Sequence, residues 1–323
     1  MVFSGITGNS LQKVVIRREV IAPDMGTLFK QLYRYSHSRR FRHNENLWPY
    51  VKITRASEGH ISSLSLRGQS VKLFNLNDLH HQYAGDLLLI ASGPSVNDTD
   101  FTPLQHIPAM GMNGSWFMRD KTHFKFFVIV DMTFIDQRLS MVKDMVRDPE
   151  IILFTTLRCI VQLIDYIGYS SLRCQVAIVE DACYKNFQPR VLTEEIHQTY
   201  QHEQSVSFSE ADRNIAFFKD IRKGVFDAGT VAYWALQIIQ YMGFNRIIIA
   251  GLDMNNFHKP RFYENENDIS PCGLEQQFLG LIEPSFRLSS NVLKELSVEV
   301  LNLSPYSALD SSIFKKVKPD DIK

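Results

Sequence analysis

The stretch Arg246 to Arg261, RIIIAGLDMNNFHKPR, decides the fold. Its apolar run Ile247 to Ala250 has the length and branching of a strand covered on both faces, and Gly251-Leu252-Asp253 ends it with a small residue, an apolar anchor and a carboxylate. A helix-like segment, Thr230 to Met242 (TVAYWALQIIQYM), leads into it behind Asp227 and Gly229, with Trp234 and Tyr241 as core residues. Open parallel sheets place ligands beyond the carboxyl ends of their strands, so Asp253 marks one wall of a crevice. The amino end of the helix, with its free N–H groups, points into that crevice and favours a phosphate there.

The same pattern recurs upstream. Leu87 to Ala91 is a compact strand running into Ser92-Gly93-Pro94-Ser95, and Asn97 to Asp100 supply turn and cap residues. A glycine there lets backbone approach a phosphate closely; an ordinary strand-to-helix turn is the competing reading. Ala109 to Met112 ends in Asn113-Gly114-Ser115, and Lys125 to Val130 is closed by Asp131. Each polar terminus alone reads as a cap, but four at one end of a sheet read as a site built from loops. Glu150 to Phe154 and Gln175 to Val179 continue the series, with helical material such as Phe134 to Val146 between. The expectation is an α/β fold: a Rossmann-like, mostly parallel sheet with helices on both faces and right-handed crossovers.

The chain has 323 residues, 45% of them hydrophobic, enough for one sizeable α/β core with or without an appendage. Lys plus Arg and Asp plus Glu are each 35, so no net charge draws the chain to nucleic acid. Cys159, Cys174, Cys183 and Cys272 lack metal-ligand spacing and read as reduced cytosolic thiols. Met1 to Gln12 has no basic start followed by an apolar run, and no apolar run reaches the length of a membrane span, so membrane contact is expected to be peripheral.

Residues 1–82 differ in character and are expected to form a small basic α+β appendage to an α/β domain at 83–323. Val14 to Ile21 and Ser62 to Leu66 alternate like strands. Between them, Leu28 to Tyr50 carries Lys30, Arg34, Arg39, Arg40, Arg42, His37 and His43 against a single acid, Glu45, and puts Leu28, Leu32 and Tyr35 on one helical side. That suits either a basic amphipathic segment on an anionic surface or a solvated helix packed on the main domain. Residues 181–225 break the strand rhythm with a polar stretch, Cys183 to Lys223, read as a lid or an acceptor-binding insertion. Asn255 to Arg287 is dense in ionisable groups, as suits a site or a wet loop. Asn291 to Leu296 reads as helix, Val298 to Leu303 as the final strand, and Lys315 to Lys323 as a charged tail.

These blocks together resemble a known family. SGPS after a strand, MNGS, VIVDMTFIDQR, the helix and strand ending in AGLD, RFYENEN, EPSFRLSSN and VLNLSP, in that order from about Leu87 to Ser304, are similar to the lipopolysaccharide-core Kdo transferases of the third-Kdo type. More distantly they resemble the bacterial sialyltransferases that use CMP-sialic acid. The resemblance implies a metal-independent, GT-A-like glycosyltransferase without a cofactor. It would take CMP-Kdo as donor and the inner core of lipopolysaccharide as acceptor, with inversion, from the cytoplasmic face of the inner membrane. A sialyltransferase or other CMP-sugar transferase, or a nucleotide-binding or scaffold protein without catalysis, are the alternatives.

Carried over by block, the resemblance implies that Gly93, Pro94 and Ser95 line the nucleotide phosphate, that Asn113, with Gly114 and Ser115, meets the nucleotide or sugar, and that Thr230 sits where the helix start meets cytidine or phosphate. Tyr263 falls where the sialyltransferases use tyrosine hydroxyls on the leaving phosphate, and Arg261, with the helix N–H groups, is a further candidate to hold that phosphate. The sialyltransferases carry a histidine base shortly before their last helix, where this chain has Ile282-Glu283-Pro284-Ser285-Phe286-Arg287. The base is therefore sought among Asp131, Asp253 and Glu283, with His258 behind them, and Arg138, His258 and Arg287 are candidates for the donor carboxylate or an anionic acceptor.

Overall fold

The computed structural model describes residues 23–322; the strand expected at Val14 to Ile21 lies outside them. Helix α1 (Pro23–Ser36) precedes an antiparallel meander of β1 (Val51–Arg55), β2 (Ile61–Leu66) and β3 (Gln69–Val71). The main sheet takes β4 (Asp86–Ile90), β5 (Pro108–Met112), β6 (His123–Ile129), β7 (Ile152–Thr155) and β8 (Gln175–Ile178). A separate antiparallel pair, β9 (Val206–Phe208) and β10 (Ala216–Phe218), follows, and then β11 (Arg246–Ala250), β12 (Glu299–Asn302) and β13 (Lys315–Lys316) complete the main sheet. The helices after α1 are α2 (Met132–Gln137), α3 (Leu139–Met145), α4 (Leu157–Ile167), α5 (Ile196–Tyr200), α6 (Val231–Met242), α7 (Leu274–Gln277) and α8 (Glu283–Glu295).

The main sheet runs β13-β12-β11-β4-β5-β6-β7-β8, and every neighbouring pair is parallel. The expected α/β architecture is therefore present. Strand alternation explains how both faces are covered. Leu87, Leu89, Ile247 and Ile249 enter one apolar cluster with α6 and α8, while Leu88, Ile90, Ile248 and Ala250 enter the other with α2, α3 and α4. All of these strand residues are fully buried, which contributes about 1.5–3 kcal/mol for each Leu or Ile. The order reverses between β4 and β11: from β4 the chain moves out to β8, then returns to the other side of β4. That reversal opens a crevice at the carboxyl ends of these two strands.

Several boundaries differ from expectation for local reasons. The helical run after Asp131 is two helices, because Arg138 leaves helical geometry at φ −124° and ψ 33°. The last long helix starts at Glu283 rather than Asn291, with Pro284 in its first turn, and a π-helical segment, Phe278–Ile282, runs directly into it. The expected charged tail supplies β13 to the sheet edge, anchored by buried Ile313 and Phe314. The meander packs Val51, Ile61, Leu64, Leu66 and Val71 into the cluster shared with α4 and β8. The segment Cys183 to Lys223, expected as a lid or acceptor insertion, is built into the core: Ile196, Ile215, Phe217, Phe218 and Ile221 join the α6 cluster, and the Tyr233 hydroxyl donates to the Ala216 carbonyl at 2.8 Å.

Candidate active site

A cavity of about 290 Å³ occupies the crevice at the β4–β11 reversal. Its walls are the turns after β4 (Ser92, Gly93, Pro94), β5 (Met112, Asn113), β6 (Asp131) and β11 (Gly251 to Asp253), with the start of α6 (Gly229 to Ala232). Residues between Met254 and Leu274 roof it, among them Lys259, Arg261 and Glu264. The four polar strand ends singled out in the sequence thus meet at one place.

The turn after β4 is fastened directly to the end of β11. Gly93 N–H donates to Gly251 O at 2.9 Å, and Ser95 N–H donates to Asp253 Oδ2 at 2.9 Å while its hydroxyl donates to Oδ1. A Cβ on Gly93 would lie 2.5 Å from Asp253 Oδ2 and from Gly251 O, so only glycine permits this approach. Asp253 is buried and spends both oxygens on Ser95, which gives it a fastening task at the floor of the cavity. Ser95 itself lies behind the wall, within hydrogen-bond reach of Ser304 at 2.9 Å.

Asn113 has left-handed backbone, φ 49°, a conformation that asparagine tolerates better than most residues. Its Oδ1 is buried without a hydrogen-bond partner among the described residues, an acceptor on the cavity wall awaiting a donor. Ser115 is turned inward: its hydroxyl accepts from Met112 N–H at 2.8 Å and shapes the turn. Gly114 lies against the Tyr263 ring, where a Cβ would come within 2.2 Å of a ring carbon. Tyr263 stacks on Phe117 and meets Phe134 and Phe262 edge-on, one layer behind the cavity; burial pushes its hydroxyl up to about 12.

Thr230 caps α6, and no acidic side chain occupies that helix's first turn. Thr230 Oγ1 accepts from Ala232 N–H at 3.4 Å, so the positive end of the helix dipole, with Val231 N–H, stays beside the cavity. Opposite, Arg261 is held by Glu264, whose carboxylate is almost wholly buried and accepts from Arg261 Nη1 at 2.7 Å, Arg261 N–H at 3.0 Å and Ser270 N–H at 3.2 Å. Burial alone would raise the Glu264 carboxyl, but these donors and the Arg261 charge leave it below the usual carboxylate range. Arg138 approaches the same carboxylate at 3.7 Å and pairs with Asp268 at 2.6 Å, so it braces the roof from outside.

Asp131 caps α2, with Oδ1 accepting from Thr133 N–H at 2.8 Å, and its exposed carboxylate stands on the cavity rim. Glu283 and Arg287 pair with each other on α8 and do not line the cavity; His258 is exposed and lies 3.1 Å from Glu275, also outside it. Sequence reasoning did not single out Glu264, although Arg261-Phe262-Tyr263-Glu264 places an arginine and a glutamate three residues apart, a spacing that signals a local ion pair.

Comparison with known proteins identifies the family. The family model described as 3-deoxy-D-manno-octulosonic acid transferase WaaZ matches residues 74–319, a wider span than the motif blocks suggest. A probable 3-deoxy-manno-octulosonic acid transferase of Escherichia coli K12 is 24% identical over 260 residues, covering 76% of this chain and 87% of that protein. One of the same name from Salmonella typhimurium LT2 is 22% identical over 249 residues, covering 74% and 89%. Among solved structures, the sialyltransferase CstII of Campylobacter jejuni with cytidine-5'-monophosphate aligns at 9% identity and a TM-score of 0.39, covering 72% of this chain and 85% of that one. The sialyltransferase Cst-II with a trisaccharide acceptor and CMP aligns at 11% and 0.36, covering 71% and 84%. By the match to its family model across three quarters of its length, the chain belongs to the WaaZ family of 3-deoxy-D-manno-octulosonic acid transferases.

Proposed function

We propose that this chain moves Kdo from CMP-Kdo to the inner core of lipopolysaccharide, with inversion and without a metal ion. The observation that carries the reading is the convergence of Gly93, Asn113, Thr230 and Arg261 on one cavity at the sheet's reversal point. The open amino end of α6 takes the cytidylate phosphate, and Arg261 and Lys259 supply the charge that meets it as the donor bond breaks. Asn113 Oδ1 accepts from a donor on the nucleotide or sugar. Tyr263, which stays protonated to high pH, supports this wall from behind.

Three carboxylates among the described residues line the cavity. Asp253 is engaged by Ser95 and Glu264 by Arg261 and Ser270, whereas Asp131 uses one oxygen for capping and keeps Oδ2 at the rim. Asp131 is accordingly the base we assign to the acceptor hydroxyl.

The acceptor is anionic and lipid-anchored, so we place the chain peripherally on an anionic membrane face. No helix among the described residues is long and apolar enough to cross a membrane. Leu28, Leu32 and Tyr35 form an exposed apolar stripe on α1, and Arg39 and Arg42 beside it have no ion-pair partner among the described residues, while Arg34 and Arg40 pair with Glu45 and Glu195.

The test offers CMP-Kdo and CMP-sialic acid side by side with lipopolysaccharide inner core, in the presence of EDTA, and follows CMP release. Faster release from CMP-Kdo is expected. Preference for CMP-sialic acid overturns the donor assignment, and release from neither overturns the transferase reading.

A further inference from the structure

Beyond Asp131 the carboxyl edge of the sheet continues across β7 and β8, and there the chain gathers cations around an exposed aromatic ring. The turn after β7 leads into the first turn of α4, where Arg158 donates to the His43 carbonyl. The turn after β8 carries Tyr184 and Lys185, and the Lys185 carbonyl lies 3.0 Å from His43 Nε2. The His43 ring meets Tyr184 edge-on at 5.8 Å, and the Arg190 guanidinium lies 5.4 Å from the Tyr184 ring centre. Arg190 N–H donates to Arg40 O at 2.8 Å, which ties this turn to the basic segment after α1.

The nearby carboxylates are otherwise engaged. Glu180 is nearly buried and held by Arg55 and by Asn186 N–H at 2.9 Å; Glu195 is gripped by both Arg40 nitrogens and by Leu192 N–H at 3.0 Å. Arg158, Arg190 and Lys185 are left without an ion-pair partner among the described residues. Burial lowers the His43 pKa, and the fields of Arg158 and Arg190 lower it further against the raising effect of its backbone bonds. Arg158 on the His43 carbonyl and Arg190 on the ring that His43 meets thus bring two guanidinium groups to one patch. Like charges held together at a strand-end face repel one another until an anion joins them. Tyr184, 44% exposed, offers a flat apolar surface beside Arg190. Guanidinium forks beside such a surface suit an acidic sugar: the ring packs on the phenol face and the acid takes bidentate hydrogen bonds.

We infer that Arg158, Tyr184 and Arg190 form an acceptor subsite for a sugar bearing a phosphate or a carboxylate. The inference rests on the transfer reading above, since it needs an acceptor whose hydroxyl reaches Asp131. Successive strands lie about 4.8 Å apart, so β8 is about 10 Å across the sheet from β6, the strand that ends at Asp131. A bound oligosaccharide then presents its hydroxyl at the rim and rests its acidic unit on this shelf.

The test uses the full chain, CMP-Kdo and a deacylated inner-core oligosaccharide. Arg190→Gln is the cleanest variant, because its guanidinium stacks without a hydrogen bond; Arg158→Gln retains a donor for His43 O. Each is expected to raise the acceptor KM at least about tenfold, with donor KM and acceptor-free CMP release unchanged and with Arg190→Lys partly restored. Phosphatase treatment of the oligosaccharide should abolish the difference between wild type and variant if phosphate is the recognised group, and leave it intact if a carboxylate is. Direct binding of the oligosaccharide by calorimetry separates the two levels. Arg190-dependent binding with no CMP release from any donor keeps the subsite and removes the transfer reading. Equal oligosaccharide affinity in wild type and Arg190→Gln overturns the subsite.

Discussion

Ser95 donates both its backbone N–H and its hydroxyl to the carboxylate of Asp253, across the junction where the sheet reverses. One aspartate therefore sets the position of the turn that lines the cavity. Asp253→Ala is expected to lower stability by about 3 kcal/mol, since two hydrogen bonds to a charged acceptor are lost, and to weaken CMP binding with it. Denaturant unfolding and CMP titration check both effects; unchanged unfolding with lost turnover would instead point to a direct chemical role for Asp253.

Gly93 leaves no room for a side chain against Asp253 and Gly251. Gly93→Ala forces the turn outward, and CMP affinity should fall about tenfold while circular dichroism stays that of the wild type. Calorimetric titration with CMP is the measurement.

Asp131 and Glu283 separate chemistry from charge density. Asp131→Asn keeps the Thr133 cap through its side-chain oxygen but removes the proposed base, and should lower kcat about a hundredfold or more with the donor KM unchanged. Glu283→Gln, at a residue paired with Arg287 outside the cavity, should leave turnover within about twofold of wild type, as for a surface substitution. The reverse ranking in initial-rate assays would move the base to α8.

The same residues show what a sequence can and cannot disclose. Ile247 to Ala250 was legible as a doubly covered strand because nothing polar interrupts it, and Gly93, Asn113, Asp131 and Asp253 were legible as neighbours because parallel strands all end on one side. Which of them faces a ligand was not legible. Asp253 and Asp131 look alike as strand-end carboxylates, yet a serine more than 150 positions away engages the first. Glu283, Arg287 and His258 share a charged segment with Arg261, but helix phase and loop path turn them elsewhere. Cys183 to Lys223 reads as polar because its few core residues, such as Phe217 and Phe218, are spread among charges, so its packing against α6 emerges only in three dimensions.

Asp181 gives a pH-dependent test. Burial, with the neighbouring Asp227 charge adding to it against the Cys183 N–H, pushes its carboxyl up to about 7. A folded-state pKa above the unfolded one contributes stability at acid pH that is lost as pH rises towards 7. Asp181→Asn keeps the acceptor for Cys183 N–H and should raise Tm by about 2 °C or more at pH 8, with no gain at pH 4. Scanning calorimetry at the two pH values checks the sign.

Arg39 and Arg42 test the membrane face separately from catalysis. Replacing both with Gln spares the Arg34–Glu45 and Arg40–Glu195 pairs and should reduce sedimentation with anionic vesicles, while acceptor-free CMP release is unaffected. Unaltered sedimentation removes the proposed contact.

The seating of β4 between β5 and β11 also bears on how the molecule is made. Arg246 must find Asp86, 160 positions earlier, before the central strand is covered on its second side. During synthesis the amino-terminal half therefore emerges with an apolar strand edge open, and the crevice comes into being only when the last third of the chain arrives. A nascent or truncated product ending before residue 246 would carry every residue of the serine–glycine turn and still lack the cavity wall that Gly251 to Asp253 supply, and its bare edge would make it a client for chaperones and proteases.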